Sequence, residues 1–461
     1  MPAPRDLYSL FTRHASARPD RILISHAESV TSRQLLGEAE RWSGRLHDVG
    51  VGPGAIVLLA GLEETAFMAA LLATWARDAA AIPADPLTAA PELERIRRDL
   101  GATHHVSQEG VARLEPSLPA SSMARGAAVI KLTSGSTGSP RGIAVTAGQL
   151  LADAGHLIEA MGITSEDTNI AAIPLSYSYG FGNLVMPLVM QGSPILLVPS
   201  LAPEPLAAAL SIDRPAIFPG VPLLFDVLGM SPLAPRGLRL CICAGAPLSP
   251  RTAASFLERT GIPVRAFYGT SETGGITWDG SADGLAALAE EGCVGAPLPG
   301  VEVSLEGEER RVVVRGAAVA SGYTAAEEAG FVDGAFMTSD TGSLDDRGRL
   351  TLTGRLSSSV NIAGRKVSPA EVERCLNSLD GVRAAAVIGM TDETRGESLG
   401  ACVVADGALQ RADLLAHLHA SLAPWKVPRR IIFLDEIPST SRGKVDTAAL
   451  RRRLAAETSS T

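Results

Sequence analysis

Short apolar runs alternating with helical stretches predict an α/β protein built on parallel sheet. Two further observations refine that expectation. At 461 residues the chain is too long for one simple core, and the C-terminal part has an α+β pattern of its own. We expect a large N-terminal domain, residues 1–355, of α/β subdomains plus a β-rich part. A small α+β C-terminal domain, residues 356–461, should follow.

Taken in order, residues 7–14 form a short apolar-periodic segment. Thr31 or Ser32 can cap a helix running to about His47, with Leu35, Leu36, Ala39 and Leu46 apolar and Gly50 available to end it. Residues 51–59 read as a strand introduced by Gly52-Pro53-Gly54, 63–77 as a strongly apolar helix, and 81–83 as another short strand. His104 and His105 are expected in a loop. Residues 127–132, interrupted only by Lys131, read as a strand, and a helical pattern starts near Thr146. Buried strands are expected at 170–175, 195–198, 216–218, 238–243 and 264–267, and β-rich strands at 311–315 and 349–353. Ser368-Pro369-Ala370-Glu371 has the form of a capping box with proline at the first helical position, heading a helix to about Leu379. Strands at 384–389 and 400–404 and a helix near 412–422 follow.

Composition excludes several functions. Hydrophobic residues make up 46% and charged ones 20%, as in an ordinary globular protein. A net charge of −9 argues against a general nucleic-acid binder, and Arg451, Arg452 and Arg453 read as a solvated helix face. Five cysteines, Cys241, Cys243, Cys293, Cys375 and Cys402, lack a metal spacing and are expected as buried thiols. Their odd number and the absence of a secretory leader lead us to expect a cytoplasmic protein. No apolar run approaches the ~20 residues a membrane helix needs, so membrane insertion is not expected. His417 and His419 lie two apart on a helix and so face apart, a poor basis for metal or histidine chemistry.

The chemistry concentrates in loops after strands. Thr133-Ser134-Gly135-Ser136-Thr137-Gly138-Ser139-Pro140-Arg141-Gly142 combines glycines, hydroxyls and an arginine, which suits a polyphosphate. A polar surface loop has the same composition. The segment is no Walker loop, since its glycine run meets Pro140-Arg141-Gly142 rather than Gly-Lys-Ser/Thr. It is no nucleophile elbow either. Tyr177, Tyr179 and Phe181 beside Gly180 form an aromatic cluster in a chain that is 4% aromatic, fitting a pocket wall or plain core.

The loop resembles the phosphate-binding loop of the adenylate-forming superfamily, which includes acyl-CoA synthetases, luciferases and peptide-synthetase adenylation domains. Arg141 stands where that family usually has lysine. Companion segments follow in the family's order. Pro174-Leu175 and Gly180 match a segment whose gating histidine is replaced by Tyr177. Ala244-Gly245-Ala246-Pro247-Leu248 resembles the segment lining acyl group and adenine. Tyr268-Gly269-Thr270-Ser271-Glu272 resembles the Tyr-Gly-x-Thr/Ser-Glu motif, and Thr338-Ser339-Asp340-Thr341-Gly342 the ribose-binding motif. Gly354-Arg355 resembles the pair before the hinge, with Ser357 at the hinge position and Asn361 where lysine is frequent. Ile437-Pro438-Ser439-Thr440-Ser441-Arg442-Gly443-Lys444 resembles the segment carrying the adenylation lysine.

The resemblance implies an enzyme that activates a carboxylic acid with ATP and Mg²⁺, then passes the acyl group to CoA or a phosphopantetheine thiol. Its implied catalytic residues are Lys444, Glu272 and Thr270, with Glu272 and Thr137 toward the metal. ATP would lie against Thr133, Ser134, Gly135, Ser136, Thr137, Gly138, Arg141, Gly245, Ala246, Pro247, Tyr268, Gly269, Thr270, Ser271, Asp340 and Arg355. The acyl pocket would use Tyr177, Tyr179, Gly180, Phe181, Ala244, Gly245, Phe267 and Gly269; a flat aromatic or medium-chain acid is expected. The C-terminal domain should be mobile about Ser357 and bring Gly364, Arg365 and Lys366 to the acceptor thiol. An acyl carrier protein and a homodimer are further partners the resemblance leaves open. A non-thiol acceptor and a non-catalytic nucleotide binder are the alternatives.

Overall fold

A computed structural model describes residues 2–26, 28–114, 121–134, 140–229, 235–286, 292–324, 330–355, 360–392, 394–407, 409–438 and 446–456. Among the described residues two large sheets dominate. A nine-stranded sheet has at its centre the parallel strands Thr168–Ala171, Ala216–Gly220, Leu238–Cys243 and Val264–Thr270. A seven-stranded sheet joins Ile56–Leu59, Ala80–Pro83 and Val129–Ser134 in parallel, with antiparallel edges. Buried parallel strands tend to read as apolar runs, as Ile56–Leu59 and Ala80–Pro83 do, which made them legible.

Between the sheets runs the helix Glu64–Ala76, whose residues from Phe67 to Trp75 are all buried. A helix apolar all round has no stable place except inside a core. Its Trp75 indole donates to the Ala128 carbonyl at 3.1 Å and meets Phe181 edge-on at 6.2 Å. The helix Ser32–Asp48 begins as expected: Thr31 accepts from the Gln34 amide at 3.3 Å, and Gln34 reaches back to the Thr31 amide at 2.8 Å.

The β-rich part is a five-stranded antiparallel sheet including Val301–Glu306, Arg311–Gly316, Ala335–Leu344 and Leu350–Arg355. A further five-stranded sheet, spanning Val360–Ile362 to Arg430–Phe433, carries the helices Pro369–Asn377 and Arg411–Ser421. Two apolar clusters made only from residues after 359 underlie it.

Several elements differ from expectation. The 7–14 segment is a longer helix, Pro4–Ala17, with Leu7, Phe11 and Ala15 buried. His104 and His105 lie in the strand His104–Ser107, not a loop. His104 escapes the usual cost of burial because Nδ1 bonds Thr103 Oγ1 at 2.9 Å and Nε2 the Val49 carbonyl at 3.2 Å. Residues 51–55 precede their strand in a turn, and the 170–175 strand ends at Ala171. The 264–267 strand extends to Thr270. Ser368 makes no side-chain cap: the Glu371 amide bonds the Ser368 carbonyl at 3.0 Å instead, and the Glu371 carboxylate is held by Lys426 at 2.9 Å.

Candidate active site

In open α/β sheets ligands bind beyond the carboxyl ends of the strands. Here those ends deliver Ala244-Gly245-Ala246, Tyr268 to Glu272 and the Thr133–Ser134 lead into the phosphate loop. The loop is not followed directly by a helix. Val129–Ser134 pairs antiparallel with Pro140–Val145, Thr133 opposite Arg141. The helix Ala147–Met161 starts only afterwards, capped by Thr146.

Tyr268, Gly269 and Thr270 sit within a strand rather than a turn. Gly269 has no room for a side chain: a Cβ there would lie 2.5 Å from the Gly274 carbonyl oxygen. Tyr268 donates to Asp340 Oδ2 at 2.7 Å, joining the sheet end to the β-rich part. Asp340 stands opposite Arg355 in that antiparallel pair. Thr270 and Thr273 share a hydrogen bond at 3.0 Å, and Ser178 donates to Ser271 at 2.7 Å.

Glu272 is buried and accepts from the Tyr323 hydroxyl at 2.9 Å. The Arg141 guanidinium lies 5.6 Å above the Tyr323 ring. Behind them Lys131 and Asp153 are both buried. Burial pushes the Lys131 ammonium below its ordinary pKa, while Asp153 and Glu272 pull it back upward. Burial raises the Asp153 carboxyl, which accepts from the Gly275 amide at 2.8 Å. No cluster of three or more metal-ligating side chains exists among the described residues. Glu272 as a single buried carboxylate still fits Mg²⁺, which takes one or two carboxylates and completes its shell with phosphate oxygens and water.

At the acyl end the three aromatics separate. Tyr179 is half-buried, donates to the Ile242 carbonyl at 2.9 Å and packs against Phe267 at 5.9 Å. Phe181 is core, not pocket wall: it opens a wide helical turn, Phe181–Val185, that turns its ring toward Trp75. Gly180 passes so close to the Pro174 carbonyl that no side chain fits. Tyr177 bonds Asp85 through its hydroxyl and lies under Arg365, whose guanidinium is 5.2 Å from the ring.

Gly364, Arg365 and Lys366 belong to a hairpin, Val360–Ile362 with Arg365–Val367. Its two-residue turn has positive φ at both Ala363 (48°) and Gly364 (86°), the conformation short hairpins demand. The tip rests on the Ala244-Gly245-Ala246 segment: a Cβ on Gly245 would sit 2.8 Å from Gly364 Cα. Thus Ala244, Gly245, Tyr177, Gly364 and Arg365 are brought together. Gly135, Ser136, Thr137, Gly138, Ser357 and Lys444 lie outside the described residues. The sequence reading missed Asp85, Lys131, Asp153 and Tyr323; only Lys131, a lone charge in an apolar strand, left a visible signal. A cleft of about 410 Å³ beside the helix Pro4–Ala17 contains none of the motif residues.

Comparison with known proteins places this geometry among relatives. The AMP-binding enzyme model matches residues 11–125 and 107–324, and the AMP-binding enzyme C-terminal domain model residues 371–444. A feruloyl-CoA synthase from Amycolatopsis sp is 28% identical, with 96% of this chain and 97% of that one covered. A 2-succinylbenzoate–CoA ligase from Bacillus cytotoxicus is 32% identical, covering 71% of this chain and 70% of its own. Among solved structures, an amide bond synthetase from Marinactinospora thermotolerans superposes with a TM-score of 0.83 at 26% identity, covering 96% of this chain and 99% of that one. An o-succinylbenzoate CoA synthetase from Bacillus subtilis, at 22% identity, shares the fold with a TM-score of 0.84, covering 96% and 98%.

Proposed function

The chain belongs to the AMP-binding enzyme family, and from that premise we infer that it is an AMP-forming acid–CoA ligase. It activates a carboxylic acid with ATP and transfers the acyl group to CoA. The observation that carries the reading is at the ends of the neighbouring strands Leu238–Cys243 and Val264–Thr270: the first leads to Gly245, on which the Gly364 hairpin rests, and the second carries Tyr268, which bonds Asp340 and is followed by Glu272.

In the first step the acid's carboxylate attacks the α-phosphate of ATP, giving an acyl-adenylate and pyrophosphate. Two anions must approach, so positioning and charge neutralisation dominate the barrier. We assign the phosphates to residues 133–138 and Arg141, the α-phosphate to Thr270 and the ribose to Asp340 with Arg355. The adenine is assigned to Gly245, Ala246, Pro247 and Tyr268. Mg²⁺, held through Glu272 and Thr137, supplies charge neutralisation on the triphosphate. Lys444 is our candidate for the cation between carboxylate and phosphate.

In the second step the CoA thiolate attacks the acyl carbonyl and expels AMP. The docked Gly364 hairpin supports assigning the described arrangement to this step. We place the domain boundary at 355/356, supported by the separate apolar clusters after residue 359. Tyr179, Phe267 and the small Ala244 and Gly245 favour a flat aromatic or medium-chain acid, and the feruloyl and succinylbenzoate relatives make aromatic acids the first to test. A carrier-protein thiol, a homodimer and a cytoplasmic location are further proposals. No helix among the described residues is long and apolar enough to cross a membrane.

The amide bond synthetase relative favours a second reading, in which an amine rather than CoA accepts the acyl group. Incubating the enzyme with an acid panel, MgATP, and either CoA, an amine or a phosphopantetheinylated carrier separates these. Acyl-CoA formation supports the first reading; amide alone would replace it.

A further inference from the structure

The contact between the C-terminal sheet and the first third of the chain holds charges that neither chemical step uses. Lys426 is buried between two carboxylates, Glu92 from the helix Ala90–Asp99 and Glu371 at 2.9 Å from the helix Pro369–Asn377. The three side chains are only 8%, 9% and 7% exposed. Beside them Arg365 lies 5.5 Å from the Trp425 ring and 3.7 Å from Asp85, the same carboxylate that takes the Tyr177 hydroxyl. Asp85, Glu92 and Tyr177 thus come from one side; Arg365, Glu371 and Lys426 come from the other.

The stoichiometry matters. A buried ammonium stripped of every partner is very costly, so an interface that must open needs one that is never orphaned. Lys426 keeps Glu371 on its own side when Glu92 leaves, and Glu92 then returns to water. When closed, Lys426 bonds both carboxylates, the Arg95 cation also acts on Glu371, and among the described residues Glu92 Oε2 has no hydrogen-bond partner. That unsatisfied buried oxygen offsets part of the attraction, so the contact can both hold and release.

We propose that Glu92 and Lys426 are positioning residues for acyl transfer, their ion pair holding the Gly364 hairpin over Gly245 during the second step. Asp85 and Arg365 extend the same lock to Tyr177 at the mouth of the acyl site. The proposal rests on the reading above that the docked hairpin serves transfer.

The test reads the two half-reactions separately on the same preparations. Acid-dependent pyrophosphate exchange reports adenylation, and single-turnover mixing of acyl-adenylate with CoA reports transfer. Glu92→Lys sets a second ammonium beside Lys426 and is expected to slow transfer by at least about tenfold, the scale of disrupting a buried charge pair. Glu92 touches no substrate in this scheme, so exchange should stay within about twofold. Combining Glu92→Lys with Lys426→Glu restores one cation between two carboxylates and should recover transfer. Unchanged transfer in Glu92→Lys, equal loss in both half-reactions, or no recovery in the double variant overturns the proposal. Should the Lys426 change prevent folding, Glu92→Lys carries the test alone. Absence of exchange by the unaltered enzyme with every acid would instead overturn the functional reading on which the proposal stands.

Discussion

Removing the hydroxyl of Tyr323 isolates the contribution of the Glu272 environment. Tyr323→Phe keeps the ring, which packs against Phe331 at 5.4 Å and under Arg141 at 5.6 Å. What it deletes is the donor 2.9 Å from Glu272 Oε1, in a site where Glu272 is only 9% exposed. A hydrogen bond to a charged group contributes about 1.5–3 kcal/mol, and its loss leaves the carboxylate short of a partner. If that energy orients Glu272 toward Mg²⁺, kcat/KM for MgATP in pyrophosphate exchange should fall about 10–100-fold. Raising Mg²⁺ should recover part of the loss, since a misaligned ligand weakens metal binding. Thermal unfolding on the same samples separates this from general destabilisation. Exchange kinetics equal to wild type at limiting Mg²⁺ would refute the reasoning, because Glu272 would then not be tied to the metal.

Lys444→Ala should lower acyl-adenylate formation by about 10²–10³-fold, the scale of losing one preorganised donor, while transfer from preformed adenylate is largely spared. Near-normal pyrophosphate exchange would remove Lys444 from its role. Stability should depend on pH through Asp167, whose side chain is 2% exposed and bonded at 2.6 Å by both Arg239 Nε and Nη2. Burial works upward on this carboxyl, but Arg239 and Thr164 outweigh it and hold the pKa below its ordinary value. A depressed carboxyl stabilises the fold above the unfolded pKa, and that contribution fades as pH drops below about 4 toward the folded value. Asp167→Asn should therefore cost about 1–2 kcal/mol at pH 7, modest because Arg239 is partly exposed. In urea unfolding the gap to wild type should narrow below pH 4; a constant gap would contradict the assignment.

The parts of the fold visible in the sequence were those dictated locally. Continuous apolar runs such as Ile195–Leu197 gave strands, and Thr31 with Gln34 marked a helix start, because each signal is self-contained. What tertiary contact decides was not visible. His104 looked like loop material until its Nε2 found the Val49 carbonyl, on a distant segment, while Nδ1 took the neighbouring Thr103 hydroxyl. The capping box expected at Ser368 loses its reciprocal half because Lys426, far along the chain, claims the Glu371 carboxylate. Phe181 read as pocket wall, but a wide helical turn rotates it into the core against Trp75.

The site shows the same division. Glu272, Asp340 and Gly364 could be named from short motifs, since each motif carries its own turn or strand end. Tyr323 and Lys131 complete the surroundings of Glu272 from strands distant in sequence, and nothing adjacent to either residue announces that placement. Asp85 became relevant only through Arg365 and Tyr177, which approach it from opposite sides of the cleft.

Oxygen labelling tests the central claim most directly. An accepted acid carrying ¹⁸O in its carboxylate, turned over with MgATP and CoA, should yield AMP bearing one labelled oxygen and an acyl-CoA retaining the other. Label appearing in inorganic phosphate alongside ADP, or AMP formed without label, would contradict an acyl-adenylate intermediate.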